Sequence, residues 1–394
     1  MTEKSPRRAV RVGVLTSHPI QYQAPWLRAL AKFWDLEVFF ACKPTPKEQG
    51  AGFGVDVTWD VDLLSGYHYR FLKNISSSPN VEEWAGCDTP EIAEIIKAGN
   101  FDAFIVSGWY LKSHWQAVRV CRKLGIPVTT RGDSQLATPR PWVQKVIKRL
   151  WFPYQLRSFD AFMTVGTRHR EYLEHYGVDP KRISFAPHFI DTAWFATRAA
   201  ASRPERAALR ASWGASEDTF VSLFVGKFQE KKRPADLLRA AVELPGDHLV
   251  VFVGSGELDV RLRSLALGLG VNCCFAGFKN QSQLPAVYAA ADVLVLPSDG
   301  GETWGLVVNE AMACGIPAIV SDACGCAPDM IEPGETGYIF PMGDTSSFAE
   351  RIEKVMRARS VGHNWRPALE RKSQVYSLQN AASGAVATIN SLLV

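Results

Sequence analysis

Two glutamates, Glu302 and Glu310, stand eight positions apart in the stretch GGETWGLVVNEAMACGIPAIVSD, from Gly300 to Asp322. An ionised carboxylate only accepts hydrogen bonds, so its natural partners are hydroxyl groups. If the segment were helical throughout, eight residues would span about 12 Å, enough to hold two parts of one extended ligand. The preceding run VLVLPS reads as a strand ending near Ser298, and a helix is expected to begin near Trp304 or Gly305 and to stop at Gly315. The amides of Trp304, Gly305 and Leu306 then form a helix start after a strand, an arrangement that attracts anions. Gly305 is expected to leave room for a phosphate.

Two carboxylates repel an anion, so cations must compensate. FVGKFQEKKRPADLL supplies Lys227 directly after Gly226, with Lys231, Lys232 and Arg233 a few residues on. Both loops follow strands, so both can face one cleft. Hydroxyls at one end, a diphosphate in the middle and further hydroxyls beyond it describe a nucleotide sugar. Singly, a glutamate pair at this spacing and a charge run such as EKKR are ordinary surface features; their shared strand-loop-helix setting is what joins them.

The elements that must position these residues alternate along the chain. VRVGVLT, LEVFFAC, FDAFIVSG, PVTTRG, AFMTVG and ISFAPH read as strands. APWLRALAKF, then TPEIAEIIKAG with proline in its first turn, then SHWQAVRVCRKLG ending at Gly125, read as helices between them. After the Ala/Arg/Pro-rich segment TRAAASRPERAALRASWGASED the pattern starts again with FVSLFVG, HLVVFVG, VNCCFAG, VLVLPS and PAIVS. The expectation is a doubly wound α/β fold in two similar domains, residues 1–190 and 191–371, facing a cleft where strand ends collect ligands. The last segment, 372–394, is expected to be a helix packing back on the first domain.

Composition narrows the function. The chain has 394 residues, 47% hydrophobic and 21% charged, an ordinary globular balance with room for two domains. A net charge of +4 makes no electrostatic case for nucleic acid. The apolar runs all fall short of the roughly 18 residues of a membrane-spanning helix. The eight cysteines form no C-x2-C pair and read as reduced, buried thiols of a cytosolic protein. The N-terminal MTEKSPRR reads as a short tail and fails as a secretory signal, so Asn74-Ile75-Ser76 and Asn280-Gln281-Ser282 are not expected to carry glycans. Gly254-Ser255-Gly256 is too short for a dinucleotide fingerprint.

LPSDGGETWGLVVNEAMACGIPAIVSD resembles the signature of the retaining GT-B glycosyltransferases of family 4, the glycosyl transferases group 1, relatives of glycogen synthase. The resemblance implies a GT-B architecture of two Rossmann-like domains. It implies that Glu302 contacts the donor sugar, Glu310 the ribose, and Lys227 and Lys232 the diphosphate. Phe278 joins the donor-binding set. APHFIDTAWF is similar to the family's interdomain segment at Pro187 and Asp191, with His188 in place of an asparagine. Three departures stand out: Lys227 replaces an arginine and loses its bidentate geometry, Arg233 replaces a glycine and would add a phosphate contact, and TSHPIQYQAP replaces a Gly-rich loop.

The expected partners are a nucleotide-sugar donor, with uridine diphosphate favoured and guanosine diphosphate mannose as the alternative, and a hydroxyl acceptor. No cofactor or metal is expected, because lysines can neutralise the leaving diphosphate. In the first domain, His18 suits a phosphate, an acceptor hydroxyl or proton handling, or else a loop-fixing hydrogen bond. Asp133 suits a sugar, or else a helix or turn cap. Trp142 to Trp151, basic and apolar by turns, fits peripheral contact with the inner face of a membrane as well as a helix with one buried side. The competing functions are a nucleotide-sugar epimerase on the same fold and a nucleotide-sugar-binding protein without turnover.

Overall fold

The computed structural model describes residues 9–394; the tail expected at residues 1–8 lies outside them. Two sheets carry the chain, with every strand pairing parallel. The first consists of β1 (Arg11–Thr16), β2 (Asp35–Phe40), β3 (His68–Phe71), β4 (Ala103–Val106), β5 (Val128–Gly132), β6 (Ala161–Thr164) and β7 (Ile183–Phe185), in the order β3-β2-β1-β4-β5-β6-β7. The second consists of β8 (Phe220–Val225), β9 (His248–Val253), β10 (Cys273–Phe275), β11 (Val293–Leu296), β12 (Ala318–Ser321) and β13 (Gly337–Phe340), in the order β10-β9-β8-β11-β12-β13.

Helices on both faces bury the central strands completely. Every residue of β4, β8 and β11 is buried, which is why their sequences AFIV, FVSLFV and VLVL are nearly unbroken apolar runs. Two strands escaped the sequence reading, β3 and β13, and both lie at a sheet edge. HYRF in β3 is largely exposed and only four residues long, too short for its polar-aromatic alternation to stand out. The helix expected with proline in its first turn starts at Ile92, which leaves Pro90 ahead of it in a turn.

Each sheet reverses its strand order once, between β1 and β4 and between β8 and β11. Such reversals splay the flanking loops and open a crevice at the strand C-termini. The chain crosses between the domains near Ile190 and returns near Ser377, and these two residues form a parallel bridge. The helix Arg366–Val375 stays against the helix Leu306–Ala313 of the second domain. The final helix, Leu378–Leu392, packs Ala381, Ala382, Ala385 and Ile389 among Val12, Val14, Trp26 and Leu27 of the first. Its small residues permit close approach: a Cβ on Gly384 would sit 2.2 Å from the Phe185 carbonyl oxygen.

Candidate functional site

Lys227 and Lys232 follow β8, and Glu302 follows β11, the two strands that flank the reversal in the second sheet. The Asp299 amide donates to the Lys231 carbonyl at 2.8 Å and ties the two loops together. Lys232 forms a direct ion pair with Glu302, both side chains mostly shielded from solvent. The Ser298 hydroxyl donates to the same carboxylate at 3.3 Å.

The segment from Glu302 to Glu310 is not helical throughout. Glu302 lies in the loop, and the helix runs from Leu306 to Ala313 with Gly305 as its cap at φ 104°. That left-handed conformation is what requires glycine there. A Cβ on Gly305 would point at the Leu296 side chain, 2.5 Å away, so the protein interior, rather than clearance for a phosphate, excludes a side chain. Leu306 and Val307 open the helix, where first-turn amides have no partner within it, and both line a cavity of about 240 Å³.

Glu310 lines the same cavity. Its carboxylate accepts from the Tyr288 hydroxyl at 2.6 Å. Burial raises its pKa to about 7, and the Tyr288 bond and the Lys232 ammonium only partly oppose that rise. Gly226, Gly254 and Phe278 continue the lining in the second domain. Gly254 is needed there because a Cβ would fall 1.9 Å from the Gly226 carbonyl oxygen, so the short Gly-Ser-Gly sequence sets a close backbone approach.

The first domain closes the cavity with Gln21, Tyr22, Pro25, Phe53 and Trp59. Phe53 and Trp59 belong to a loop after β2 that reaches across to the second domain. Phe53 meets Phe278 edge-on with ring centroids 5.0 Å apart, and its carbonyl accepts from the Ser255 hydroxyl at 2.5 Å. Further along, Asn280 donates to the Thr58 carbonyl at 2.7 Å and the Ser282 amide to Asp60 at 3.2 Å. The Lys227 ammonium sits 5.2 Å from the centre of the Phe53 ring. Burial lowers the Lys227 pKa, with the Lys231 ammonium adding to the effect and Glu82 opposing it.

Of the first-domain candidates, Asp133 comes to the loop that carries Glu302. Its carboxylate accepts from the Thr303 hydroxyl at 2.7 Å. Gln135, which the sequence did not single out, donates to the carbonyls of Gly300, Glu302 and Ala323 at 3.0, 2.9 and 3.2 Å and pins that loop. His18 bonds to the Ser17 hydroxyl at 2.9 Å, and burial lowers its pKa to about 4. It is neutral near pH 7, outside the titration range on which proton handling was expected. His188 is buried between Tyr22 and Trp304, with ring centroids 5.2 and 5.5 Å away, and burial holds it neutral as well.

The Trp304 side chain is buried and its indole donates to Asn309 at 2.8 Å, which leaves the expectation for its backbone amide untouched. One expected contact is used inside the protein. The Arg233 guanidinium binds Asp236 at 2.6 Å, so its charge is committed to a buried carboxylate rather than left for a phosphate. The signal that could have warned of this is the i, i+3 Arg-Asp spacing at the start of the helix Pro234–Ala241. Gln21, Tyr22, Phe53, Trp59 and Gln135 had no such local signal.

Residues 205–372 match the family model described as glycosyl transferases group 1, and residues 26–194 match the model described as glycosyltransferase family 4. The D-inositol 3-phosphate glycosyltransferase of Mycobacteroides abscessus is 34% identical over 201 residues, 50% of this chain and 43% of that protein. The protein of the same name from Mycobacterium tuberculosis is 32% identical over 229 residues, 56% of this chain and 46% of that one. The matched segments thus span under half the length of these curated relatives. Among solved structures, HepE of Anabaena in complex with UDP and glucose superposes with a TM-score of 0.72 at 16% identity, covering 97% of this chain and all of HepE. The sucrose-phosphate synthase of Thermosynechococcus elongatus superposes at 0.73 and 18% identity, covering 97% of this chain and 99% of the synthase. The two-sheet architecture is therefore GT-B.

Proposed function

The chain belongs to the glycosyl transferases group 1 of glycosyltransferase family 4, and on that premise we propose that it moves a hexose from a nucleoside diphosphate sugar to a hydroxyl acceptor with retention of configuration. The reading carries a role in building a glycan, polysaccharide or glycolipid. Uridine diphosphate is the donor nucleotide to try first, since HepE was solved with UDP.

One observation carries the reading: the Lys232–Glu302 ion pair stands at the strand reversal, in the same domain crevice as the cavity that Glu310 lines. Without ligand, each charge satisfies the other. A donor splits the pair, its diphosphate taking Lys232 and a sugar hydroxyl donating to the released Glu302 carboxylate. Lys227 and Lys232 then offset the charge that gathers on the diphosphate as the anomeric C–O bond breaks. The acceptor oxygen bonds to the anomeric carbon from the same face, and its proton passes to a donor phosphate oxygen, so no side-chain nucleophile is needed. Metal independence belongs to the same proposal, and so does peripheral contact with a membrane on the acceptor side.

The test is incubation with single nucleotide sugars, with and without a glycan or lipid extract as acceptor, following free UDP and the anomeric configuration of the product. Acceptor-dependent release of UDP and a retained anomer are expected. Donor conversion without any acceptor would instead indicate an epimerase. A binding protein without turnover would be stabilised by UDP, by roughly 2.7 kcal/mol at 100 times its dissociation constant, but would release nothing.

A further inference from the structure

The helix Trp142–Leu156 of the first domain is attached along only one side. Phe152 and Leu156, four residues apart, are buried, and Lys148 lies over them with its ammonium 4.5 Å from the Phe152 ring centre and 5.0 Å from that of Tyr172. At 100° per residue these three positions share one face. Val143, Val146, Ile147, Leu150 and Tyr154 fall on the opposite side, with Trp142 and Trp151 at its two edges, and all are exposed, Trp142 by 75% and Leu150 by 70%. A helix apolar over this much of its circumference normally lies inside a protein or against another apolar phase.

Along the helix itself the charges have one sign, while Arg122 beside it is paired with Asp160 at 3.1 Å. From Arg140 to Arg157 the sequence RPWVQKVIKRLWFPYQLR holds five basic residues and no acidic one. The surface continues into a hollow of about 530 Å³ next to the helix, where Trp151 and Tyr154 meet Arg119, Arg122 and Lys123 of the helix Lys112–Leu124. Tryptophan and tyrosine among lysines and arginines match the level of lipid headgroups, where a ring is half in hydrocarbon and a cation meets phosphate. A second copy of the chain fits poorly, since a two-fold contact would set this basic surface against itself.

We propose that this face docks the protein on an anionic lipid bilayer, with the helix lying in the headgroup plane. The placement of the helix gives the docking a consequence. The carbonyl of Ala137, five residues before Trp142, lies 2.1 Å from where a Cβ on Gly300 would be, so the segment leading into the helix packs on the loop that carries Glu302. A docked molecule holds the cleft near the headgroups, where an acceptor hydroxyl would be carried by a lipid. This last step rests on the transferase reading; the docking does not, and its test uses neither donor nor acceptor.

The experiment is flotation of the full chain with vesicles of phosphatidylcholine alone and with 30% phosphatidylglycerol. Binding to the anionic vesicles and its loss in high salt are expected. Ile147→Asp and Leu150→Asp, both at exposed positions, should abolish it. Lys145→Gln with Arg149→Gln should weaken it roughly twenty-fivefold, at about fivefold per charge. Leu267→Asp, on an exposed apolar residue of the second domain, should bind like the wild type. Equal binding to neutral vesicles, unchanged binding by Ile147→Asp, or no flotation at all would overturn the proposal. So would a dimer in lipid-free solution that Ile147→Asp dissociates, since that would assign the face to a second copy. UDP stabilisation of the same variants reports separately on the donor site.

Discussion

Glu310 ties the affinity for a donor to pH in a way that can be worked out from its surroundings. Its carboxyl has a pKa of about 7, raised by burial. A ribose hydroxyl donates to the ionised form. About a tenth of Glu310 is ionised at pH 6 and about nine tenths at pH 8. If only that form takes the ribose, affinity for a UDP-hexose should rise roughly tenfold over the interval, about 1.4 kcal/mol. The sugar-esterified diphosphate loses no proton there, which makes the intact donor a better probe than UDP. The neighbouring Tyr288 and Cys314 stay silent over this interval, since burial holds both well above their ordinary values. Calorimetric titration at pH 6, 7 and 8, in two buffers of different ionisation enthalpy, reads both the slope and the proton released. Glu310→Gln keeps an acceptor for Tyr288 but cannot ionise, so its affinity should be flat.

Stability should respond with the opposite sign. The folded pKa of Glu310 lies above the ordinary value of 4.5, so the folded chain holds more protons between the two values and loses stability as pH rises from about 4.5 to about 7. Above pH 7 the cost reaches roughly 3 kcal/mol. Ligand-free Glu310→Gln should therefore melt higher than the wild type at pH 8, with the gain shrinking toward pH 5. A wild-type donor affinity that is level from pH 6 to pH 8, or an equal slope in Glu310→Gln, would refute the assignment of the ribose to this residue.

Lys232→Ala should slow transfer by about 10² to 10³ with the fold intact by circular dichroism, as expected for losing one cation beside a leaving group; wild-type turnover would remove Lys232 from the site. Glu302→Ala should weaken a UDP-hexose roughly tenfold or more and leave free UDP nearly untouched, while Glu310→Ala should weaken both, since only the ribose is common to them; equal losses of UDP in the two variants would end the two-ended reading. Transfer should survive dialysis against EDTA, and a loss restored by a divalent ion would overturn metal independence. Gly166→Ala should lower the melting temperature, by about 1–3 kcal/mol of stability, because its Cβ would fall 2.4 Å from the buried Trp304 ring across the domain contact; an unchanged melt would mean that this contact is loose.

Local chemistry was enough to mark most strands of the second sheet and to single out the residues proposed for its site. VLVLPS and FVSLFV announce central strands because both their faces are buried, so nearly every residue must be apolar. The glutamates and lysines were legible because each group sits where a strand, a loop and a helix start follow one another directly; that their two loops meet was decided by the sheet order, which sets β8 beside β11 although β9 and β10 lie between them in sequence. Edge strands are a different case: one open edge relaxes the apolar requirement, and the four residues of HYRF at β3 alternate over too short a run to be read.

Tertiary structure alone decided the rest. Whether a charge is available depends on what lies across from it: Arg233 is spent on Asp236, while Lys232 is held by Glu302, and the sequence shows only two basic residues side by side. The same holds for titration, since the values of about 7 at Glu310 and about 4 at His18 come from burial by residues distant in the chain. Phe53, Trp59 and Gln135 reach the site from the other domain, Phe53 meeting a partner more than two hundred positions away. Periodicity and motif spacing record what a residue needs from its near neighbours along the chain. Which distant surfaces come together is a property of the folded whole, because it follows from how two sheets and their helices bury each other.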